Sequence, residues 1–337
     1  MTDISDIKGL AVQHGPGGVE RSSRITPMSF AVPTIIANAG EKASRRFIEF
    51  FTANIRNRNT RQAYAHAIGR FLDWCEANHL SLDDLDPVAI AAYVEQLMTI
   101  NSAPTVKQHL AAIRMLMDWL VVGQVLPFNP AASVRGPRHV VKKGKTLVLS
   151  AEQARQLLDS IDTSTLVGLR DRALIGAMVY SFARVSAVIN MNVEDYWQNG
   201  KRWWLRLKEK GGKHHELPAH HSAEEYLDAY LYAAGIAVHA KTPLFRSAFG
   251  RANRLTEKRM SRKDVWHMIR RRARNAGLPA RTCCHTFRAT GITAYLANGG
   301  TIEKAQTIAA HESPRTTKLY DRTTDEITLD EIELIRI

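Results

Sequence analysis

AHESPRTTKLYDR, residues 310–322, sets a single tyrosine among charged neighbours near the end of a strongly basic chain. His311 opens the stretch, Ser313-Pro314 marks a turn, and Tyr320 stands nine residues after the histidine beside Lys318, Asp321 and Arg322. A tyrosine that serves only packing usually has apolar neighbours at helical spacing. The surroundings of Tyr320 point to its hydroxyl and predict an exposed ring.

The whole-chain totals bound the answer. At 337 residues the chain exceeds one compact core and predicts two domains. It carries 46 Lys+Arg against 33 Asp+Glu, a formal charge of +13, with 45% hydrophobic residues. The apolar share is that of an ordinary globular protein, while the charge favours a polyanionic partner, nucleic acid ahead of an acidic membrane surface. Cys75, Cys283 and Cys284 cannot build a disulfide framework, and an adjacent pair is no metal motif. The N-terminal MTDISDIKGL has no basic segment leading into an apolar run, and no window suits a membrane span. The expectation is a soluble, cytoplasmic protein.

Along the chain, residues 1–41, with GPGG and SSR, read as a flexible arm. Residues 42–133 have helical period. Tyr64, Ala67, Ile68, Phe71, Leu72 and Cys75 share one face behind an N-cap at Asn59 or Thr60. Asp86-Pro87 opens a helix carrying Ile90, Val94 and Leu97, and a further run presents Val106, Leu110, Ile113, Met117 and Leu120. With KASRRFIEFFTANI ahead of them, these segments predict a four-helix module. VRGPRHVVKKGKT, 134–146, holds five Lys or Arg and no acid. It reads as a basic linker, either a solvated tether or a segment held on phosphates. Residues 147–337 form a second domain. A Ser-Ala-Glu-Gln cap leads one helix, DRALIGAMVYSFARVSAVINM is a buried helix pair, and KRWWLRLKEKGGKHHELPAH alternates as two strands around Gly211-Gly212.

Four separated pieces carry chemistry: Arg184 in an apolar helical region, Lys210 at the hairpin turn, His285 with Arg288 one helical turn apart, and His311 with Tyr320. Each alone has a plain structural reading, such as a satisfied ion pair, a solvated lysine or a polar helix face. In this order they resemble the tyrosine recombinase (phage integrase, Xer-like) family, over about residues 45–325. The intervals from Arg288 to His311 and from His311 to Tyr320 are similar to those of the bacterial Xer-type members. The resemblance implies a mainly α fold with a small antiparallel β-sheet: a two-domain, C-shaped DNA clamp of a helical, SAM-like core-binding domain and an α/β catalytic domain. It also implies site-specific recombination through a 3′-phosphotyrosyl intermediate, with Tyr320 as nucleophile and no cofactor, metal or ATP.

The residue types suit that chemistry on their own terms. A phenol with a pKa of ~10 needs a base or a positive field to attack phosphorus. Arg184 and Arg288 offer paired planar donors to phosphate oxygens, and His311 offers a further donor. Lys210 suits the role of general acid, and His285 that of base or phosphate ligand. Lys208 and Lys213 rival Lys210, and only the resemblance to a Gly-Lys-Gly-x-Lys turn decides between them. One departure stands out: Ala187 occupies the position, three after Arg184, where the family commonly carries an acid that orients neighbouring groups. His214, His215, His220 and His221 lack the spacing of a helical metal motif.

Arg61, Lys107, Arg114, Arg135, Lys142, Lys143, Arg251, Arg254, Arg259, Arg262 and Lys263 form the expected DNA-binding set, with Glu257 and Asp264 as the acids opposing the basic 246–274 region. The acidic TDEITLDEIELIRI tail implies, by the resemblance, docking on a neighbouring protomer in a homotetramer on two duplex DNA sites; folding back on its own basic surface is the alternative. Accessory DNA-bending proteins, a mobile genetic element and a bacterial, nucleoid-associated location complete the expectation. The rivals are a type IB topoisomerase-like relaxing enzyme and a DNA-binding accessory protein weakened in catalysis.

Overall fold

The computed structural model describes residues 32–141, 144–250, 252–321 and 332. The chain divides into two compact units at Val140/Val141. The first is helical: α1 (Thr34–Asn38), α2 (Glu41–Glu49), α3 (Arg58–Ala77), α4 (Pro87–Ile100) and α5 (Ala103–Val122), with one π-turn, Phe50–Asn54, after α2. Asp86 accepts the Ala89 N–H at 2.7 Å with Pro87 behind it, the start expected for α4. α3 is capped by Asn57, whose Oδ1 accepts the Asn59 and Thr60 N–H groups, so the cap lies ahead of the two residues first considered. Phe50, Phe71, Ile68, Ile113 and Met117 are fully buried in one core.

Two boundaries differ from the sequence reading. Ile35 and Ile36 of α1 are buried in the first unit's core, so this part of the expected arm belongs to the module. A five-residue helix is too short to display a period, which is why it escaped detection. Val134, at the head of the basic segment, is also core, because Arg114 Nε reaches the Ala131 carbonyl at 3.0 Å and its terminal nitrogen reaches that of Val134.

The second unit comprises α6 (Ala151–Asp159), α7 (Leu166–Tyr180), α8 (Val185–Ile189), β1 (Tyr196–Asn199), β2 (Arg202–Lys208), β3 (His214–Pro218), α9 (His221–Ala234), β4 (Arg246–Ala248), β5 (Leu255–Arg259), α10 (Arg262–Asn275), α11 (Cys284–Ala297), α12 (Ile302–Ile308) and α13 (Pro314–Lys318). Ser150 and Gln153 form the capping box expected for α6. β1, β2 and β3 make an antiparallel sheet with Leu205 opposite Tyr196 on one side and Leu217 on the other. β2 alternates as expected, Leu205 and Leu207 turning into the core. β4 and β5 form a second hairpin within the region whose basic charge hid their pattern.

Asp171 of α7, fully buried, joins this unit across its core. Arg170 donates to Oδ1 at 2.5 and 3.0 Å, Arg272 of α10 donates to Oδ2 at 2.8 and 3.0 Å, and Arg271 lies 3.4 Å away. The basic face of α10 is therefore opposed by an acid from a distant helix as well as by its own sequence neighbours. Replacing Asp171 by Ala leaves Arg170, 3% exposed, without its counter-ion. The expected loss is about 3–5 kcal/mol of stability, read by denaturant titration; a midpoint equal to that of the parent protein contradicts this role.

Candidate active site

Arg184, His285, His311 and Tyr320 gather around one buried side chain, that of Arg288. α7 ends at Tyr180, and Phe182 turns the chain with φ 54°, so Arg184 caps α8 at a helix break and does not lie within a helix. Arg288, in the first turns of α11, is 2% exposed. Its two terminal nitrogens donate to the Phe182 carbonyl and, at 2.6 Å, to the Ala309 carbonyl. One guanidinium thus clamps the residues just ahead of Arg184 and His311. Gly291 lets α11 come this close, because a Cβ there would overlap the Val179 carbonyl oxygen and the Phe182 ring. Among the described residues, four non-glycines have positive φ, and two of them, Phe182 and Ala310, flank this clamp. Such conformations cost of order 1 kcal/mol or more and persist where surrounding contacts over-determine them.

His311 is buried, with Nδ1 2.9 Å from the hydroxyl of the fully buried Thr317. Tyr320 follows α13; its N–H donates to the Thr317 carbonyl at 2.9 Å, and its carbonyl accepts from the Thr293 hydroxyl at 2.8 Å. The Tyr320 ring stacks on His311, centroids 5.7 Å apart and planes at 9°, and packs against the cluster around Phe182, Ile292 and Leu296. Its side chain lies within electrostatic reach of Arg288. The phenol is therefore half-buried, not exposed as its sequence neighbours suggested, because Arg288 and His311 draw it inward. His285 stands at the exposed start of α11, beside a cleft of about 350 Å³ lined by Arg262, Lys263 and Trp266. Lys210 opens a tight turn in which Gly211 and Gly212 both take positive φ, a hairpin that only glycine forms without strain.

The chain matches the Phage integrase family over residues 148–326 and the Phage integrase, N-terminal SAM-like domain over residues 44–125. It belongs to the phage integrase family. The chain is thereby a tyrosine recombinase, a class of enzymes that cleave and rejoin DNA strands. The tyrosine recombinase XerC of Chlamydia muridarum is 30% identical over 229 residues, 67% of this chain and 69% of the relative. The XerH site-specific recombinase bound to difH substrate shares the fold, with TM-score 0.64 at 16% identity over 90% of this chain and 95% of that one. A lambda integrase tetramer bound to a Holliday junction gives 0.65 at 17% over 84% and 78%.

The recombinase also carries site residues that sequence reasoning missed. Glu209, just before Lys210, is buried and pairs with Arg184 at 2.5 Å. The strand period held the signal, since Leu205, Leu207 and Glu209 fall on one inward face. Thr317 and Thr293 are small polar residues whose roles appear only through contact with His311 and Tyr320. The histidines around β3 serve structure: His215 Nε2 lies 3.0 Å from the Ile308 carbonyl, and His220 stacks on Tyr180.

Of the basic set, the Lys210 side chain, Lys142, Lys143 and Arg251 lie outside the described residues. Lys107, Arg135, Arg254, Arg262 and Lys263 are exposed. Three others are partly exposed and make contacts within their own units. Arg61 donates twice to the Ile55 carbonyl, Arg114 holds Ala131 and Val134, and Arg259 donates to the Ile189 and Met191 carbonyls and to Asn192 Oδ1. Their guanidinium groups close backbone turns within their own units.

Burial, with Arg184 beside it, lowers Arg288 to about 10, still charged at neutral pH, while Glu209 and Tyr320 pull the other way. Burial and the same two guanidiniums push His311 down to about 3. Partial desolvation, then Arg288, Arg184 and Arg262, hold His285 below its ordinary value. Because His311 is neutral when folded but protonates at ordinary pH when unfolded, its burial leaves stability intact above pH 6.5 and erodes it as pH falls from there toward 3. The slope approaches about 1.4 kcal/mol per pH unit for this residue. Denaturant titrations at neutral and mildly acid pH are expected to show a smaller acid loss for His311→Asn than for the parent; equal losses contradict the buried neutral ring.

Proposed function

We propose that this tyrosine recombinase acts on specific duplex DNA sites and that Tyr320 is its nucleophile. The observation carrying the reading is the Tyr320 ring, stacked on His311 and within electrostatic reach of the buried Arg288. The phenolate oxygen bonds to phosphorus as the bond to the 5′ oxygen breaks, leaving a 3′-phosphotyrosine and a free 5′ hydroxyl. Arg184 and Arg288 face the developing charge on the non-bridging oxygens, where loss of one such donor typically costs ~10²–10³ in rate. His311 adds a neutral donor in the tautomer that carries its proton on Nε2, the one in which Nδ1 accepts from the Thr317 hydroxyl 2.9 Å away. His285, held below its ordinary value by partial burial and the neighbouring arginines, takes the phenolic proton. Lys210 protonates the departing oxygen; its rival Lys213 already has Glu312 at 3.3 Å. The phosphotyrosine retains the energy of the diester, so rejoining needs neither ATP nor metal.

A pool of nicked duplexes with a randomised core, incubated with the protein in EDTA, is expected to yield a denaturant-resistant protein–DNA species. Sequencing the trapped strands gives the site. Tyr320→Phe is expected to abolish the species while binding stays nearly intact; an adduct persisting in that variant assigns the nucleophile elsewhere. Relaxation of plasmids lacking the recovered site would favour the topoisomerase-like alternative.

The exposed basic residues are read as phosphate contacts in both units, and the working assembly as a homotetramer on two sites; the lambda integrase neighbour is a tetramer bound to a Holliday junction. Lys107→Ala and Arg262→Ala are each expected to weaken binding across sequences and lower the salt slope by about one. Arg114→Ala and Arg259→Ala are expected to lower thermal stability instead. Salt-dependent titrations alongside thermal melts separate the two classes, and a reversed pattern overturns the assignment.

A further inference from the structure

Glu209 is a buried carboxylate at the edge of the active site. Its side chain is 3% exposed, and removing an ionised carboxylate from water is costly unless it is paired. Oε2 accepts from Arg184 Nη1 at 2.5 Å, and Oε1 lies 3.5 Å from the Arg184 backbone N–H. Arg184 is 29% exposed, so its guanidinium is held on one side and open on the other. Glu209 sits at a fixed point of the hairpin: its N–H donates to the Lys213 carbonyl at 2.8 Å, and its carbonyl accepts from Gly212 at 3.1 Å. His215 and Lys213 tie the same hairpin to Ile308 and Glu312, either side of the Arg288 clamp at Ala309. Ala187, on the next turn after Arg184, is 1% exposed and offers no polar group.

We propose that Glu209 is the positioning residue for Arg184, holding the guanidinium by one edge so that the other meets the scissile phosphate. It supplies from the hairpin the carboxylate that position 187 lacks. Its charge also offsets the mutual repulsion of Arg184 and Arg288, the two cations that would otherwise crowd one site. Glutamine keeps the shape and loses the charge; aspartate keeps the charge on a shorter arm. The inference rests on the proposed function, since Arg184 must act on a phosphate for its orientation to matter.

The test uses the full chain and the site recovered from the nicked pool, at saturating protein, comparing Glu209→Gln and Glu209→Asp with the parent. Each is assayed on two duplexes: one with an ordinary scissile phosphate, one with a methylphosphonate, in which a methyl replaces one non-bridging oxygen and removes its negative charge. On the ordinary phosphate, Glu209→Gln is expected to slow cleavage by roughly 10–100-fold, as for other supporting partners of active-site groups, with affinity little changed, and Glu209→Asp to recover part of the rate. On the methylphosphonate the parent and Glu209→Gln are expected to cleave alike, because little anionic charge remains for Arg184 to stabilise. That arm also reports the folded, active fraction. A parent-like rate for Glu209→Gln on the ordinary phosphate overturns the proposal. So does an equal loss on both duplexes, which would place the effect in the hairpin or the fold. If the parent forms no adduct on any duplex, the proposed function fails first and this inference with it.

Discussion

A charged guanidinium in a protein interior survives only if its donors are met, and Arg288 meets that requirement with two backbone carbonyls. The carbonyls belong to Phe182 and Ala309, so satisfying one side chain brings together two segments more than a hundred residues apart. Each segment then delivers a site residue within two positions, Arg184 and His311. The left-handed turns at Phe182 and Ala310 are the local cost of aiming those carbonyls inward. α11 approaches α7 closely enough for this only because position 291 has no side chain.

The same charge shapes its neighbours. Burial first, and the two guanidiniums second, push His311 down to about 3 and hold His285 below its ordinary value. A neutral imidazole can accept or donate one proton, which suits proton transfer beside a phosphate better than fixed charge does. Glu209 balances the pair from below, and the hairpin that carries it also carries Lys210. The candidate site's Arg184, Arg288 and His311 are thus each held by hydrogen bonds or an ion pair instead of lying free on a surface.

Net charge gives a coarse account of DNA binding for a related reason. The planar fork that lets arginine grip a phosphate fits a pair of carbonyls or a buried carboxylate equally well. Arg61, Arg114 and Arg259 close backbone turns, and Arg170 and Arg272 surround Asp171. A charge of +13 includes these structural arginines, so the surface offered to a polyanion is smaller than the composition suggests. Lys107 of α5, Arg135, Arg254, and Arg262 and Lys263 at the start of α10 remain exposed for it.

Helical period, the Asp86-Pro87 start, the Ser150 capping box and the Gly-Gly hairpin were legible because each depends on residues within a few positions of one another. The order and spacing of Arg184, Lys210, His285, Arg288, His311 and Tyr320 carried the family for the same reason: the signal is linear. α1 was too short to show a period, β4 and β5 were masked by charge, and the uses of Arg114, Arg259 and Asp171 depend on partners remote in sequence. Sequence alone therefore determined the helical class, the family and the candidate side chains of the site. Only the tertiary structure decided which arginines are spent inside, why Tyr320 is half-buried and which carboxylate steadies Arg184. Those outcomes arise from desolvation and contact, and neither exists until the chain has closed on itself.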